Sequence, residues 1–389
     1  MKKICTLLFI ALAMCACTNR GGDNNNNNSN SNNNNNQNNN NNSSIGWVLV
    51  GNENISEGEA ASPILKFYNH IPYVAFIDDP SGTSLVRVMK YVASTETWED
   101  VGVGGGGFST PTGSSALAFD ISSTGVLYVA YSDGPMSKLT VRKFDSAWSN
   151  IGGTGISTGV VDHVAITLKG GTTPYVAYNE VGTGSVTLKK YSGGWSGAIG
   201  GSTSNADYVS LASDNSNVFL AMVTAPPLET IDLKKYNAID TESAIAFPVA
   251  HRMSNLTLFL SGDYLYVTNI DIDNSYNVSL LRYNTTTPGW SSIGTSQYIS
   301  DGAAGAPSIY VKSNGISDDV AYVAYRDQTV LDKASVKFCL DNPIVACANL
   351  GGLGFSSSSI MSIYMSFDDG HPYVAYTDAT TGTIDVKKY

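Results

Sequence analysis

The sequence predicts an all-β chain, a seven-bladed β-propeller of four-stranded antiparallel blades. Three observations carry that prediction. One short string recurs: PYVAFIDD, LYVAYSD, PYVAYNE, VFLAMVT, LYVTNID, AYVAYRD and PYVAYTD. Its seven anchor aromatics are Tyr73, Tyr128, Tyr175, Phe219, Tyr266, Tyr322 and Tyr373, at intervals of 44 to 56 residues. A period near that length in a strand-rich chain marks propeller blades. Runs of Val, Ile, Tyr and Thr between Gly, Asn, Asp and Ser clusters read as short strands and tight turns. A tryptophan followed by Val or Ile and Gly recurs at Trp98, Trp148, Trp195 and Trp290 and closes the repeat.

Within one repeat the elements follow from local pattern. In "ALAFDISSTGVLYVAYSDGPMSKLTVRKFDSAWSNIGG", ALAF alternates and reads as an inner strand. STG is a turn. LYVAYS is apolar on both faces, as a strand packed between neighbours should be. DGPMS is a second turn, LTVRKF a third strand, and AWSNIG a short fourth one. Four antiparallel strands with tight turns make one blade.

The first tryptophan, Trp47 in GWVLVG, precedes the first full repeat and has no third strand ahead of it. The last repeat stops at Tyr389 without a fourth strand. The two deficits match, so GWVLVG should complete the last blade and close the ring. Closure also removes open sheet edges.

The chain has 389 residues, of which only 14% are charged; a repeat array overrides the two or three domains its length would suggest. Three segments are expected. Residues 1–16, with Lys2, Lys3 and a short apolar stretch, have signal-peptide layout. Met14-Cys15-Ala16-Cys17 resembles the bacterial lipobox, with Met14 in place of its usual leucine, and implies lipidation of Cys17. A plain secretory signal is the other reading. Residues 17–44 are almost devoid of apolar side chains and read as an Asn-rich disordered tether, about 30 Å in span by flexible-chain scaling. Residues 45–389 form the propeller.

Lipidation implies a membrane anchor. No Asp follows Cys17, since Thr18 and Asn19 stand there, so outer membrane or cell surface is expected rather than inner membrane. Cys339 and Cys347, in CLDNPIVAC, flank an Asn-Pro turn and can form a structural disulfide in an exported protein.

The stretch "VMKYVASTETWEDVGVGGGGFSTPTGSSALAFDISSTGVLYVAYSD" resembles a repeat of exported bacterial proteins, K-Y…W…V-G…G-F-S…A-D…G-P-Y-V-A-Y-S-D. The resemblance runs from Gly46 to Tyr389. It implies a β-propeller lipoprotein or surface protein and no particular activity. Blades four and six depart from the pattern in lacking the tryptophan.

Two side-chain series repeat. Five residues after each anchor stand Asp78, Asp133, Glu180, Thr224, Asp271, Asp327 and Asp378. The six carboxylates are candidates for a binding rim that attracts a cation or a basic partner. Local turn chemistry, supported by turns such as DDPSG and DGPM, is the favoured reading. Before the aromatic that closes strand three stand Lys90, Lys143, Lys190, Lys235, Arg282, Lys337 and Lys388. They could ring an anionic glycan, or lay their stems over blade edges with the charge in water.

Chemistry-bearing motifs are sparse. Asp271, Asp273, Asn274 and Asn277 alternate oxygen ligands as calcium sites do, but lack the twelve-residue loop with its terminal Glu; otherwise no cofactor or metal is expected. His70, His163, His251 and His371 form no triad or metalloprotease motif. SFDDGHPY approximates the Asp-box of sialidases, but in the turn between strands one and two. The five arginines Arg87, Arg142, Arg252, Arg282 and Arg326 would have to supply the usual three. No catalytic residue is assigned. A net charge of −11 argues against nucleic acid as partner. The expected function is a lipid-anchored, monomeric module of the cell envelope that binds protein or glycan; a sialidase- or lyase-like glycan-active enzyme is the alternative.

Overall fold

The computed structural model describes residues 46–389 except 81, 83, 103–106, 108–115, 203–205, 314–318 and 342–345. The signal peptide, Cys17 and the tether lie outside the described residues. The described chain forms seven four-stranded antiparallel sheets. Blade one spans residues 59–100, blade two 117–150, blade three 161–202, blade four 206–245, blade five 253–292 and blade six 304–349. Blade seven combines Ile360–Asp368, His371–Asp378 and Ile384–Lys388 with the N-terminal strand Val48–Leu49. The first strands touch one another in turn all the way round, so they line the axis.

Ring closure is as the two deficits required. Val48 pairs with Lys388 and Leu49 with Lys387. Two further backbone bonds, Val50 N to Val386 O (2.9 Å) and Ile55 N to Ile384 O (3.0 Å), extend the seam. Tyr389 packs its ring against Trp47 at 5.6 Å, and Phe355 stacks on the same indole at 4.4 Å.

The core is divided among the seams between blades. Leu65, Val74, Phe76 and Trp98 of blade one pack with Ala375, Ile384 and Val386 of blade seven. Val218, Leu220 and Met222 of blade four pack with Tyr175, Ala177 and Leu188 of blade three. Phe219, Ala221 and Val223, on the opposite face of the same strand, pack toward blade five. That is why the second strand is apolar on both faces. Each buried aliphatic or aromatic side chain contributes about 1.5–3 kcal/mol, and no blade can bury both faces alone.

The repeated Trp and Gly are two halves of one joint. The indole N–H of Trp98 donates to Val50 O at 2.8 Å, Trp148 to Val101 O, Trp195 to Ile151 O and Trp47 to Leu350 O. Each acceptor belongs to the preceding blade in the ring, and the glycine after it lies under the indole. A Cβ on Gly152 would sit 2.2 Å from Trp195 Cδ1, and Gly152 has φ +74°, so no larger residue fits. Blade four lacks the tryptophan. There Tyr236 fills the place, fully buried, with Gly201 N donating to its hydroxyl at 3.1 Å.

Two expectations on strand detail are corrected. In blade three the fourth strand is Gly200–Ser202, downstream of Trp195, which only bridges Tyr191. In blade six the basic series slips. Lys90, Lys143, Lys190, Lys235, Arg282 and Lys388 all oppose the anchor aromatic of their blade, but Phe338 opposes Tyr322 and Lys337 opposes Val323. The connection from Asp327 contains the 3-10 turn Gln328–Val330, and no residue is added after it to restore register. A one-residue slip moves a side chain to the other face. Lys337 is accordingly buried and pairs with Asp301 at 2.6 Å. Cys339 and Cys347 are joined by a disulfide that ties strand three of this blade to the approach of its short strand four, Ala348–Asn349.

Candidate functional site

The acidic series sits where strand two ends, on the same rim where strand one begins. Its carboxylates are turned into the protein. Asp78 accepts from the backbone N–H of Glu57 (3.1 Å) and Gly58 (3.0 Å), and from Arg87 Nη1 at 2.7 Å. Glu180 accepts from Thr158 N and Gly159 N, and Asp378 from Thr380 N, Thr381 N and the Ser358 hydroxyl. Asp327 accepts from Thr329 N and from the Ser335 hydroxyl. Asp271 accepts from Asn274 N and the Tyr298 hydroxyl, and faces His251. All five are buried; Asp133 is half-buried, with the Tyr131 hydroxyl 3.5 Å away. Burial alone would raise the Glu180 and Asp378 carboxyls, but these donors outweigh it and hold both below the ordinary carboxylate range.

A companion series was not read as such in the sequence. Ser56, Ser157, Ser300 and Ser356 each donate to the carbonyl two residues on. Their oxygens accept from the third strand of the preceding blade in the ring, at Ile384, Leu139, Val278 and Ala334. The signal was the Ile-Ser or Phe-Ser a few residues after each Val/Ile/Leu-Gly.

The cations do not converge. Arg87 is bound by Asp78 and Asp100, Arg252 by Asp273, Arg282 by Asp341 and Arg326 by Asp332. They lie at four separate blades or connectors. The blade-five loop is likewise closed on itself. Arg252 occupies Asp273, while His251, Asn274 and Tyr298 surround Asp271. Among the described residues no three His, Cys, Asp or Glu side chains group as metal ligands do.

What does not repeat is the opening of the first strands. Each has a buried residue at or next to its start: Ala60, Val161, Ala206, Met253, Ala304 or Ile360. The next two residues lie at or beside a β-bulge at the rim end of the strand. They are Ala61–Ser62, Asp162–His163, Asp207–Tyr208, Ser254–Asn255, Gly305–Ala306 and Met361–Ser362. The matching residues of blade two reach beyond the described part. Bulges re-aim side chains and favour functional rims. Four of these positions hold a left-handed backbone without glycine: Ser62, Tyr208, Asn255 and Ala306, with φ of +48° to +55°. For a residue as large as Tyr208 this is costly.

The polar and aromatic side chains gather on blades three to five. The His163 and Tyr208 rings lie 5.0 Å apart at 56°. Asp162 Oδ1 stands 3.2 Å from His163 Nδ1. Burial and Asp207 push the Tyr208 phenol up, so it keeps its proton. Farther along the first strands, Lys66 sits by Asp120 (3.4 Å) and Tyr364. Burial lowers its pKa, but those two groups outweigh it and hold the ammonium charged. Phe259, Tyr310 and Phe367 form an aromatic stack on blades five to seven.

Among solved structures the chain is similar to the BP39L lectin from Burkholderia pseudomallei, at 14% identity over 86% of this chain and 96% of that one, with a TM-score of 0.59. It is also similar to the polysaccharide lyase Uly1, at 9% identity over 85% of this chain and 89% of that one, with a TM-score of 0.50. No family model matches the chain, and no curated protein matches its sequence. At such identities the likeness is one of fold, and the chain is an all-β, seven-bladed propeller with four-stranded antiparallel blades.

Proposed function

We propose that the chain is a lipid-anchored glycan-binding module of the bacterial cell envelope, and that its binding surface is the mouth of the ring over blades three to five. One observation carries this reading. The side chains repeated in every blade are spent on the fold, whereas Asp162–His163, Asp207–Tyr208 and Ser254–Asn255 break the symmetry at one place on the axis. A half-buried aromatic beside convergent polar groups is the usual composition of a sugar or small-ligand site. The two similar structures, a lectin and a polysaccharide lyase, agree with a glycan as ligand. Titration of residues 45–389 against a glycan array tests it. Tyr208→Ala should abolish the strongest signal, and an array without any signal overturns the proposal.

A glycan-active enzyme is the second reading, favoured by the imidazole of His163 held by Asp162 beside a protonated phenol. Such a pair could move a proton. Release of new reducing ends or unsaturated products from polysaccharides, lost in His163→Gln, would establish it. The anchor is tested separately: palmitate should label the wild type and not Cys17→Ser, and equal labelling removes lipidation from the proposal.

A further inference from the structure

Resting on that reading of the mouth, we infer that its ligand class is a sugar bearing a protonated amine, an amino sugar rather than a uronate or a neutral glycan. The argument is one of unmatched acceptors. Asp162 and Asp207 each precede by one residue the ring at the opening of adjacent first strands, His163 and Tyr208, with the bulge skipping Asp162 in blade three and Tyr208 in blade four. The Asp162 side chain is 45% exposed, and Asp207 is half-buried. Among the described residues no lysine or arginine pairs with either. Several other carboxylates near this rim are matched: Asp78 by Arg87, Asp273 by Arg252, Asp301 by Lys337, Asp332 by Arg326, and Glu180 by backbone donors.

A second, independent observation lies nearby. Asn179 opposes His163 in register, is 97% buried, and donates through Nδ2 to the carbonyl of Ala206, the residue before Asp207. Its Oδ1 has no partner among the described residues. Buried polar atoms are nearly always paired, so an orphan acceptor held between His163 and the carbonyl that precedes Asp207 marks a place that lacks donors. A protonated amine brings three donors and a positive charge. The Tyr208 ring offers the face on which a sugar or a cation packs. A uronate would bring a further negative charge to an already acidic mouth, on a chain of net charge −11. An N-acetylated sugar would bring one amide donor and no charge.

The test is calorimetric titration of the whole purified chain with a glucosamine oligomer, its fully N-acetylated counterpart and an oligogalacturonate, at low salt. The expected result is binding of the glucosamine oligomer at least tenfold tighter than the N-acetylated one, and none of the uronate. Asp162→Asn with Asp207→Asn should remove that preference while leaving the melting temperature in place. Added salt should weaken the glucosamine oligomer and not the N-acetylated one. Equal or tighter binding of the N-acetylated or uronate oligomer, lost in Tyr208→Ala, would keep the mouth as the site and overturn the amine assignment. Failure of all three oligomers also overturns the amine assignment. Absence of binding to any glycan on the array is the separate outcome that removes the glycan reading itself.

Discussion

Asp78 and Asp162 stand on the same rim of the ring and have opposite fates. Asp78 is buried, bridged to Arg87 and capped by two backbone N–H groups. Asp162 is 45% exposed and, among the described residues, pairs only with its neighbour His163. Asp78 belongs to a series present in six of seven blades. Asp162 has its counterpart only in Asp207 among the described blades. The difference teaches how to sort residues in a repeat protein. A side chain that recurs is solving a problem every blade has, here the tying of an incoming loop to the end of strand two. A side chain that occurs once or twice at a site of fixed geometry is free to serve something other than the fold.

That contrast can be broken by experiment, and the largest effect should come from the fold side. Deleting residues 1–52 removes Val48–Leu49 and Trp47 and opens the ring. Loss of the half-buried Trp47 together with the seam hydrogen bonds of Val48–Leu49 should take a large part of a stability of about 5–15 kcal/mol. A steep fall in melting temperature is expected, while removal of residues 18–42 should leave it unchanged. Equal melting of the two truncations would disprove closure. Next comes Asp78→Ala, which takes one partner from a buried pair and frees two backbone donors. A loss of about 3 kcal/mol is expected by chemical denaturation, at the lower end for a broken buried pair because Asp100 still holds Arg87. A change under 1 kcal/mol would mean the corner carboxylates are dispensable.

Reduction of Cys339–Cys347 should cost about 2–3 kcal/mol by the loop-entropy relation, read as a lower unfolding midpoint with reductant. Smaller still is the acid response of the clasps. Glu180 and Asp378 are held below their ordinary values of 4.5 and 3.8. Each therefore adds stability that is fully present above those values and is lost as the pH falls through the lower folded-state values. Glu180→Gln should flatten that acid limb of stability against pH; an unaltered limb would show that the clasp carries no linkage. Smallest is the effect of Asp162→Asn on stability, within about 0.5 kcal/mol as for surface positions away from packing features. A large loss there would place Asp162 with Asp78 and dissolve the contrast.

The blade number, the four-strand repeat and the closing strand were legible in the sequence because each follows from periodicity and counting. Seven anchors, five tryptophans and one missing strand admit few arrangements. The seam was only half legible. The Trp-Gly repeat could be seen, but the indole of one blade meets the glycine of the preceding blade, and that pairing spans about one repeat length of chain. Local turn chemistry, the favoured reading of the carboxylate series, describes Asp327 and Asp378, which bind backbone N–H groups two or three residues on. It does not describe Asp78 and Glu180, whose backbone partners lie 20 to 22 residues earlier in the loop feeding strand one. Lys337 looked like its counterparts because the Lys-Phe pair was intact; only strand register, set by the turn at Gln328–Val330, shows that it faces inward. The mouth was the least legible of all. Asp162, His163, Asp207 and Tyr208 form no motif, and 44 residues separate His163 from Asp207. Their meeting depends on two bulges and on the packing of blade three against blade four. Periodicity reports what every blade shares, so the chain alone could specify the ring; a site made from departures at one seam exists only once the ring has brought those departures together.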